Sequence, residues 1–218
     1  MVIQKPLDQC HIAIEGAIGV GKTTLTHKLA ERFNASTLLE DVDDNPFIEF
    51  FYQDPSRHAM SVQLSFLFSR LKQWQSLQQP NLFTRGLISD YIFAKDRLFA
   101  NINLSDEELT LYDQVANLAC IDIAKPDLVI YLQSNPDVVM QRIRQRNLRI
   151  EHGLSEAYLR EVMAAYDQFF FRYQDSPLLV VQTDHLNFSS RDEDVDALLM
   201  RIQNMRSNTE FWAECVSS

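Results

Sequence analysis

The sequence predicts an α/β three-layer fold, a five-stranded parallel sheet with helices on both faces. Three observations carry that expectation. Short apolar runs at residues 10–14, 37–40, 87–89, 128–132 and 178–182 have the length and content of buried strands. Longer stretches with apolar residues at helical spacing lie between them, and strands that alternate with helices build a parallel sheet covered on both sides. The chain of 218 residues is 46% hydrophobic, enough for one substantial core, and it shows no repeat or linker, so residues 1–218 read as a single domain.

Taken in order, the run at 10–14 leads through Glu15 into a glycine-rich turn and an amphipathic helix at 23–33. The run at 37–40 ends on Glu40, ahead of an acidic loop and a long helix at 57–78. Leu87, Ile88 and Ser89 end on Asp90, which either caps or opens a helix reaching residue 100. Ser105 is placed to cap a helix at 105–125, and the run at 128–132 precedes one at 137–147. Ser155 caps a helix at 155–173, and the last run, 178–182, precedes a helix at 191–208. Ligands in such sheets bind beyond the carboxyl ends of the strands, which brings Glu15, Glu40 and Asp90 to one place.

A net charge of −10 argues against a nucleic-acid polymer as partner, because polyanions need a basic face. Positive charge is instead local: Arg142, Arg144, Arg146 and Arg149 form one cationic stretch suited to a small anion. No apolar run approaches the ~20 residues of a membrane span, and the start lacks a signal-peptide core, so a cytoplasmic protein without a membrane partner is expected. Cys10, Cys120 and Cys215 have neither metal-ligand spacing nor an even count and are expected to be reduced thiols.

Gly16-Ala17-Ile18-Gly19-Val20-Gly21-Lys22-Thr23 matches G-x-x-x-x-G-K-[ST] between a predicted strand and a predicted helix. This is the phosphate loop of P-loop NTPases. Its amides, with Thr24 in the first helical turn, are expected to bind the phosphates of ATP, Lys22 to reach the β- and γ-phosphates, and Thr23 to ligate Mg²⁺. The motif alone fits GTPases, ATPases and kinases. No Asn-Lys-x-Asp segment exists to read guanine in a regulatory GTPase, and the run at 128–132 ends in Gln133, not the Asp of a motor-type ATPase. Leu87-Ile88-Ser89-Asp90 is the comparable strand end.

At residues 15–24, 40–47, 52–70, 89–97 and 142–151 the sequence resembles the deoxynucleoside kinase family, which includes deoxyguanosine, deoxyadenosine and deoxycytidine kinases. The likeness spans most of the chain up to about Asp184. It implies a P-loop NTPase-type fold with an arginine-rich lid at about 142–153, transfer of the ATP γ-phosphate to a nucleoside 5′-hydroxyl, and pairing of long helices into a homodimer. Glu40 looks like the carboxylate that faces the 5′-hydroxyl, and Asp90 like the strand-end acid that accepts a proton or helps hold the metal. Which of the two takes the proton stays open. Tyr52 and Glu151 match positions at the sugar 3′-hydroxyl, and Gln63, Arg70 and Asp96 match the set that reads the base. Arg142 and Arg146 match the lid arginines that neutralise the migrating phosphoryl group, so Lys22, Glu40, Asp90, Arg142 and Arg146 are the expected catalytic residues. The third lid arginine falls on Leu148, with Arg149 displaced by one position. Asp90 is followed by Tyr91 where the family carries arginine; Lys95, Arg97 or a lid arginine is expected to compensate.

The residues themselves are less decisive. Gln63 and Arg70 share a helix face across Phe66, which fits a base-binding wall, but without the resemblance a solvated polar face is the better reading, since isolated Gln and Arg on a helix are usually exposed. The arginine stretch also fits a solvated helix end. An Arg–Asp pair resembles the purine and deoxycytidine branches, and the segment 43–47 resembles bacterial deoxyadenosine and deoxyguanosine kinases, so a purine deoxynucleoside is the expected substrate. A deoxycytidine kinase, a thymidylate-type monophosphate kinase and a nucleotide-dependent switch remain the alternatives.

Overall fold

The computed structural model describes residues 2–3, 5–77, 86–118 and 123–213. Cys120, Cys215, residue 78 of the expected 57–78 helix and residues 119–122 of the expected 105–125 helix lie outside the described residues.

β1 (His11–Gly16) runs into the glycine-rich turn and α1 (Lys22–Phe33); β2 (Ser36–Leu38) is followed by α2 (Ile48–Gln53) and α3 (Pro55–Leu77). β3 (Leu87–Ser89), α4 (Lys95–Asn103) and α5 (Asp106–Leu118) come next, then β4 (Leu128–Gln133), α6 (Pro136–Arg146) and a 3₁₀ turn at Arg149–Glu151. α7 (Glu156–Phe171), β5 (Leu178–Gln182), α8 (Asp192–Gln203) and β6 (Thr209–Ala213) complete the order.

All described strands pair in parallel in one sheet, ordered β2-β3-β1-β4-β5-β6. The central strands read as continuous apolar runs because both faces are covered. On one face Ile12, Ile14, Ile130 and Val181 pack under Leu25 and Leu29 of α1 and Leu198 of α8. On the other Ala13, Val129 and Val180 pack under Leu98 of α4 and Val162 and Phe170 of α7. A third cluster joins α2, α3, α4 and α5 through Phe51, Leu67, Ala100 and Tyr112, and so forms the wall beside the strand tips.

The sheet has six strands where five were expected. β6 escaped notice because it is an edge strand whose residues alternate between exposed and half-buried, with polar Thr209 and Glu210 at its start. The final helix stops at Gln203, well short of residue 208. Asn204 caps it, its Nδ2 donating to Met200 O at 2.7 Å, and the Glu210 carboxylate then collects the backbone N–H groups of Arg206 and Ser207. Asp90 neither caps nor opens a helix, since α4 begins five residues later at Lys95. α2 was not anticipated; Asp54 separates it from α3, which opens on Pro55, at the first helical position where its missing N–H costs nothing. Ser105 caps α5 through a reciprocal bond pair with Glu108, but residues 123–125 are not helical. Cys10 is a free, buried thiol whose pKa burial pushes up.

Candidate active site

The phosphate end is made by backbone. Gly16 and Gly19 hold positive φ values of 146° and 81°, and each sits where a side chain would collide. A Cβ on Gly16 would lie 2.5 Å from Leu132 O, and one on Gly19 2.5 Å from Ile143 Cγ1, so the loop is threaded between β4 and α6. α1 starts at Gly21 with no side-chain cap, leaving the N–H groups of its first turn free to meet an anion. Lys22 Nζ reaches back over the loop to Gly16 O at 2.9 Å and Ala17 O at 3.1 Å. Desolvation, with repulsion from Lys95, pushes its ammonium down to about 8.

Buried Asp90, just past β3, fastens this loop to the tip of β2. Thr23 Oγ1 donates to its Oδ2 at 2.8 Å and the Glu40 backbone N–H to its Oδ1 at 2.7 Å. Glu40 in turn is clamped by two cations: Arg70 donates to Oε1, and Lys95 Nζ to Oε2 at 2.6 Å. Burial alone would raise the Glu40 carboxyl, but Lys95 and Arg70 outweigh it and hold the group well below the usual carboxylate range. Arg70 also pairs with Asp96 and lies 5.1 Å from the Phe66 ring centroid. Burial lifts the Asp96 carboxyl to about 6 against the pull of Arg70, and its second oxygen, Oδ2, finds no partner among the described residues.

These groups surround a cavity of about 500 Å³, a volume suited to a small molecule. Its far side is formed by Phe51 and Tyr52 of α2, Gln63 and Phe66 of α3, Asn103 of α4, Glu151 and Tyr158. Gln63 Nε2 donates to Asp96 O at 2.9 Å and Tyr158 OH to Asn103 Oδ1 at 3.0 Å. Glu151 pairs with Arg146 through one oxygen, while its Oε2 is buried without a partner among the described residues. The turn carrying Glu151 is pressed on Tyr52: a Cβ on Gly153 would stand 2.7 Å from Tyr52 Cβ. A second depression of about 530 Å³ lies at the ends of β4 and β5 against α7, with Ala17 and Val20 of the glycine-rich turn in its lining. Its acids are already partnered, Asp167 by Tyr131 and Gln133, Asp184 by Ser134 and Gln182.

The family model described as deoxynucleoside kinase matches residues 12–206. The chain belongs to that family. It is an ATP-dependent deoxynucleoside kinase, a phosphotransferase acting on the nucleoside 5′-hydroxyl. A deoxyguanosine kinase of Bacillus subtilis (strain 168) is 28% identical over 89% of this chain and 96% of its own length. A deoxyadenosine kinase of Dictyostelium discoideum is 33% identical over 76% of this chain and 69% of its own. Among solved structures, a deoxyadenosine kinase from M. mycoides with bound dATP superposes with a TM-score of 0.75 at 21% identity, covering 89% of this chain and all of that one, which shows the shared fold.

In this kinase Lys22, Thr23, Thr24, Glu40, Tyr52, Gln63, Arg70, Asp90, Arg146 and Glu151 all line the one cavity. Asp96 stands behind it through Arg70. Arg142 does not face it. Its guanidinium, set one turn before Arg146, donates to Val20 O at 3.2 Å, Thr183 O at 2.8 Å and Leu186 O at 3.3 Å, tying the phosphate loop to the segment after β5. Arg149 points to Glu49 at 3.4 Å on the surface, and Arg97 pairs with Asp113. Tyr91 is fully buried against Leu38 and Trp74, its hydroxyl donating to Gln73 Oε1 at 2.7 Å. The sequence placed Glu15 at the strand-end site without assigning its chemistry, and gave no place there to Asn103, Tyr158 or Tyr166. Glu15 is fully buried, accepting from Ile92 N at 2.8 Å and Tyr166 OH at 3.0 Å, and burial raises its pKa. Its place as the last strand residue before the loop was the available signal; the other three sit on helix faces that look like ordinary core.

Proposed function

We propose that this kinase transfers the γ-phosphate of ATP to the 5′-hydroxyl of a purine deoxyribonucleoside. The observation that carries the reading is the junction of Asp90 with both Thr23 and the Glu40 backbone, which sets two carboxylates at the seam between phosphate loop and cavity. A 5′-hydroxyl presented there meets Glu40, which orients it and accepts its hydrogen bond, with Asp90 the second acceptor. The low pKa of Glu40 makes it a strong orienting anion and a weak proton store, which suits a loose transition state in which positioning and charge neutralisation dominate.

Hydroxyl and carboxylate oxygens at Thr23 and Asp90 are hard donors of the kind Mg²⁺ takes alongside phosphate oxygens and waters, so these residues fit that ion. Bound there, it neutralises charge on the phosphates. Lys22 binds the β- and γ-phosphates. Residues 142–153 act as the lid: Arg146 leaves Glu151 and turns to the phosphoryl oxygens, while Arg142 holds the phosphate loop to the β5–α8 turn. Glu151, released, joins Tyr52 at the sugar 3′-hydroxyl.

Asp96 supports a base with an exocyclic amine. Its Oδ2, without a partner among the described residues, is an acceptor for the exocyclic amine that adenine, guanine and cytosine carry and thymine lacks. The purine preference rests on the segment 43–47 and on the purine kinases among the relatives. An acceptor that already carries a phosphate is disfavoured, because Arg70 and Lys95 are both paired with Glu40 in the cavity. We further propose a cytoplasmic homodimer that buries Phe68, Leu111 and Leu118, which stand 56%, 54% and 84% exposed on α3 and α5. No helix among the described residues is long and apolar enough to cross a membrane. Phosphate transfer from γ-labelled ATP should be fastest to deoxyguanosine or deoxyadenosine and absent with thymidine. Turnover confined to a nucleoside monophosphate would overturn the reading.

A further inference from the structure

Lys95 carries a role that the match to known kinases does not assign. It opens α4, yet the residue is 4% exposed, an unusual depth for a lysine. Its ammonium donates to Glu40 Oε2 at 2.6 Å and lies 5.6 Å from the Phe99 ring centroid. The other Glu40 oxygen accepts from Arg70 Nε and Nη2, while Arg70 Nη1 donates to Asp96. The ammonium is also close enough to the phosphate loop to depress Lys22. An ammonium has three donors, and among the described residues Glu40 accepts from one of them. Position 91, next to Asp90, supplies no cation, since Tyr91 is turned into the apolar cluster with Leu38 and Trp74. Arg97, one turn from the same region, faces Asp113 on the outside.

We propose that Lys95 is the positioning cation of the transfer step: it fixes the Glu40 carboxylate toward the 5′-hydroxyl and keeps it there as the phosphoryl group moves. This rests on the kinase reading above. In the step, the O5′–phosphorus bond forms while the bond from the γ-phosphorus to the β,γ-bridging oxygen breaks, and ADP departs with that electron pair. The hydroxyl proton passes through Glu40 to solvent, and Lys95 keeps its own proton throughout. Arg70 does not substitute, because its guanidinium is shared with Asp96 and so is tied to the base end of the cavity.

Steady-state kinetics of full-length Lys95→Met, Lys95→Gln, Lys95→Arg and the Lys95→Met/Glu40→Gln double variant test this. Lys95→Met should lose roughly 100-fold in kcat with the KM for ATP changed less than about twofold, the size expected for one misdirected electrostatic contact. Lys95→Gln reports the same loss should the Met variant fold poorly, and Lys95→Arg should recover about tenfold of it. Because Lys95 acts through Glu40, the double variant should be no slower than Glu40→Gln alone. Retention of wild-type kcat in Lys95→Met or Lys95→Gln, or fully additive losses in the double variant, would overturn the assignment. A wild-type enzyme inactive on every deoxynucleoside would instead overturn the kinase reading beneath it.

Discussion

The two ends of the cavity are built in opposite ways. At the end proposed for the phosphates one continuous stretch, Gly16 to Thr24, supplies nearly everything, and what it presents are backbone N–H groups shaped by glycines and a helix start. At the end proposed for the nucleoside Tyr52, Gln63, Arg70, Asp96 and Glu151 come from α2, α3, α4 and the turn after α6, held by a buried network of charges. The first kind of site depends on local chain conformation, so a side chain can be removed from it without disturbing the core. The second kind is part of the core, and damage there reaches stability and recognition together.

Lys22→Met tests the separation at its strongest. It should cut kcat/KM for ATP by on the order of 10³-fold, as loss of a preorganised phosphate contact does, while the urea midpoint stays near wild type. A variant that unfolded would erase the contrast. Arg70→Met attacks the other end and should lower unfolding free energy by about 3–5 kcal/mol, because it leaves the Asp96 carboxylate buried beside Glu40 without its partner. A urea titration unchanged from wild type would mean that Asp96 takes a proton and needs no partner. Gly153→Ala should raise the nucleoside KM about tenfold and leave the KM for ATP alone, since the new methyl displaces Tyr52.

The smallest effect is a proton count. Lys22 is depressed to about 8, so the free enzyme loses that proton as pH rises through 8, whereas a bound triphosphate favours the ammonium. ATP binding should therefore take up a proton near pH 8.5 and almost none at pH 6.5, read by calorimetry in buffers of different ionisation enthalpy. Nucleoside binding should show no such uptake over that range.

The same asymmetry decided what the sequence could say. The phosphate loop was legible to the residue because its geometry is written in consecutive positions, as were the central strands, whose two buried faces leave unbroken apolar runs. The wall proposed for the nucleoside was not. Gln63 and Arg70 on α3 read by themselves as a solvated face, the structure buries them, and only resemblance pointed to a binding face. Arg142 shares a helix with Arg146 but lies on the side facing Thr183, a choice made by how α6 rests on the loop after β5. β6 is legible to neither periodicity nor hydropathy, because an edge strand with half-exposed residues lacks the apolar run that marks a buried one. Lys95 and Glu15 were visible as charges, but their burial is a property of the assembled layers.

The central claim is that Glu40, set against the phosphate loop by Asp90, prepares the sugar alcohol. Single-turnover transfer from γ-labelled ATP to deoxyguanosine by Glu40→Gln measures it directly. ATP should bind as in the wild type while the transfer rate falls on the order of 10²–10⁴-fold. Transfer at the wild-type rate in Glu40→Gln, and again in Asp90→Asn, would contradict it.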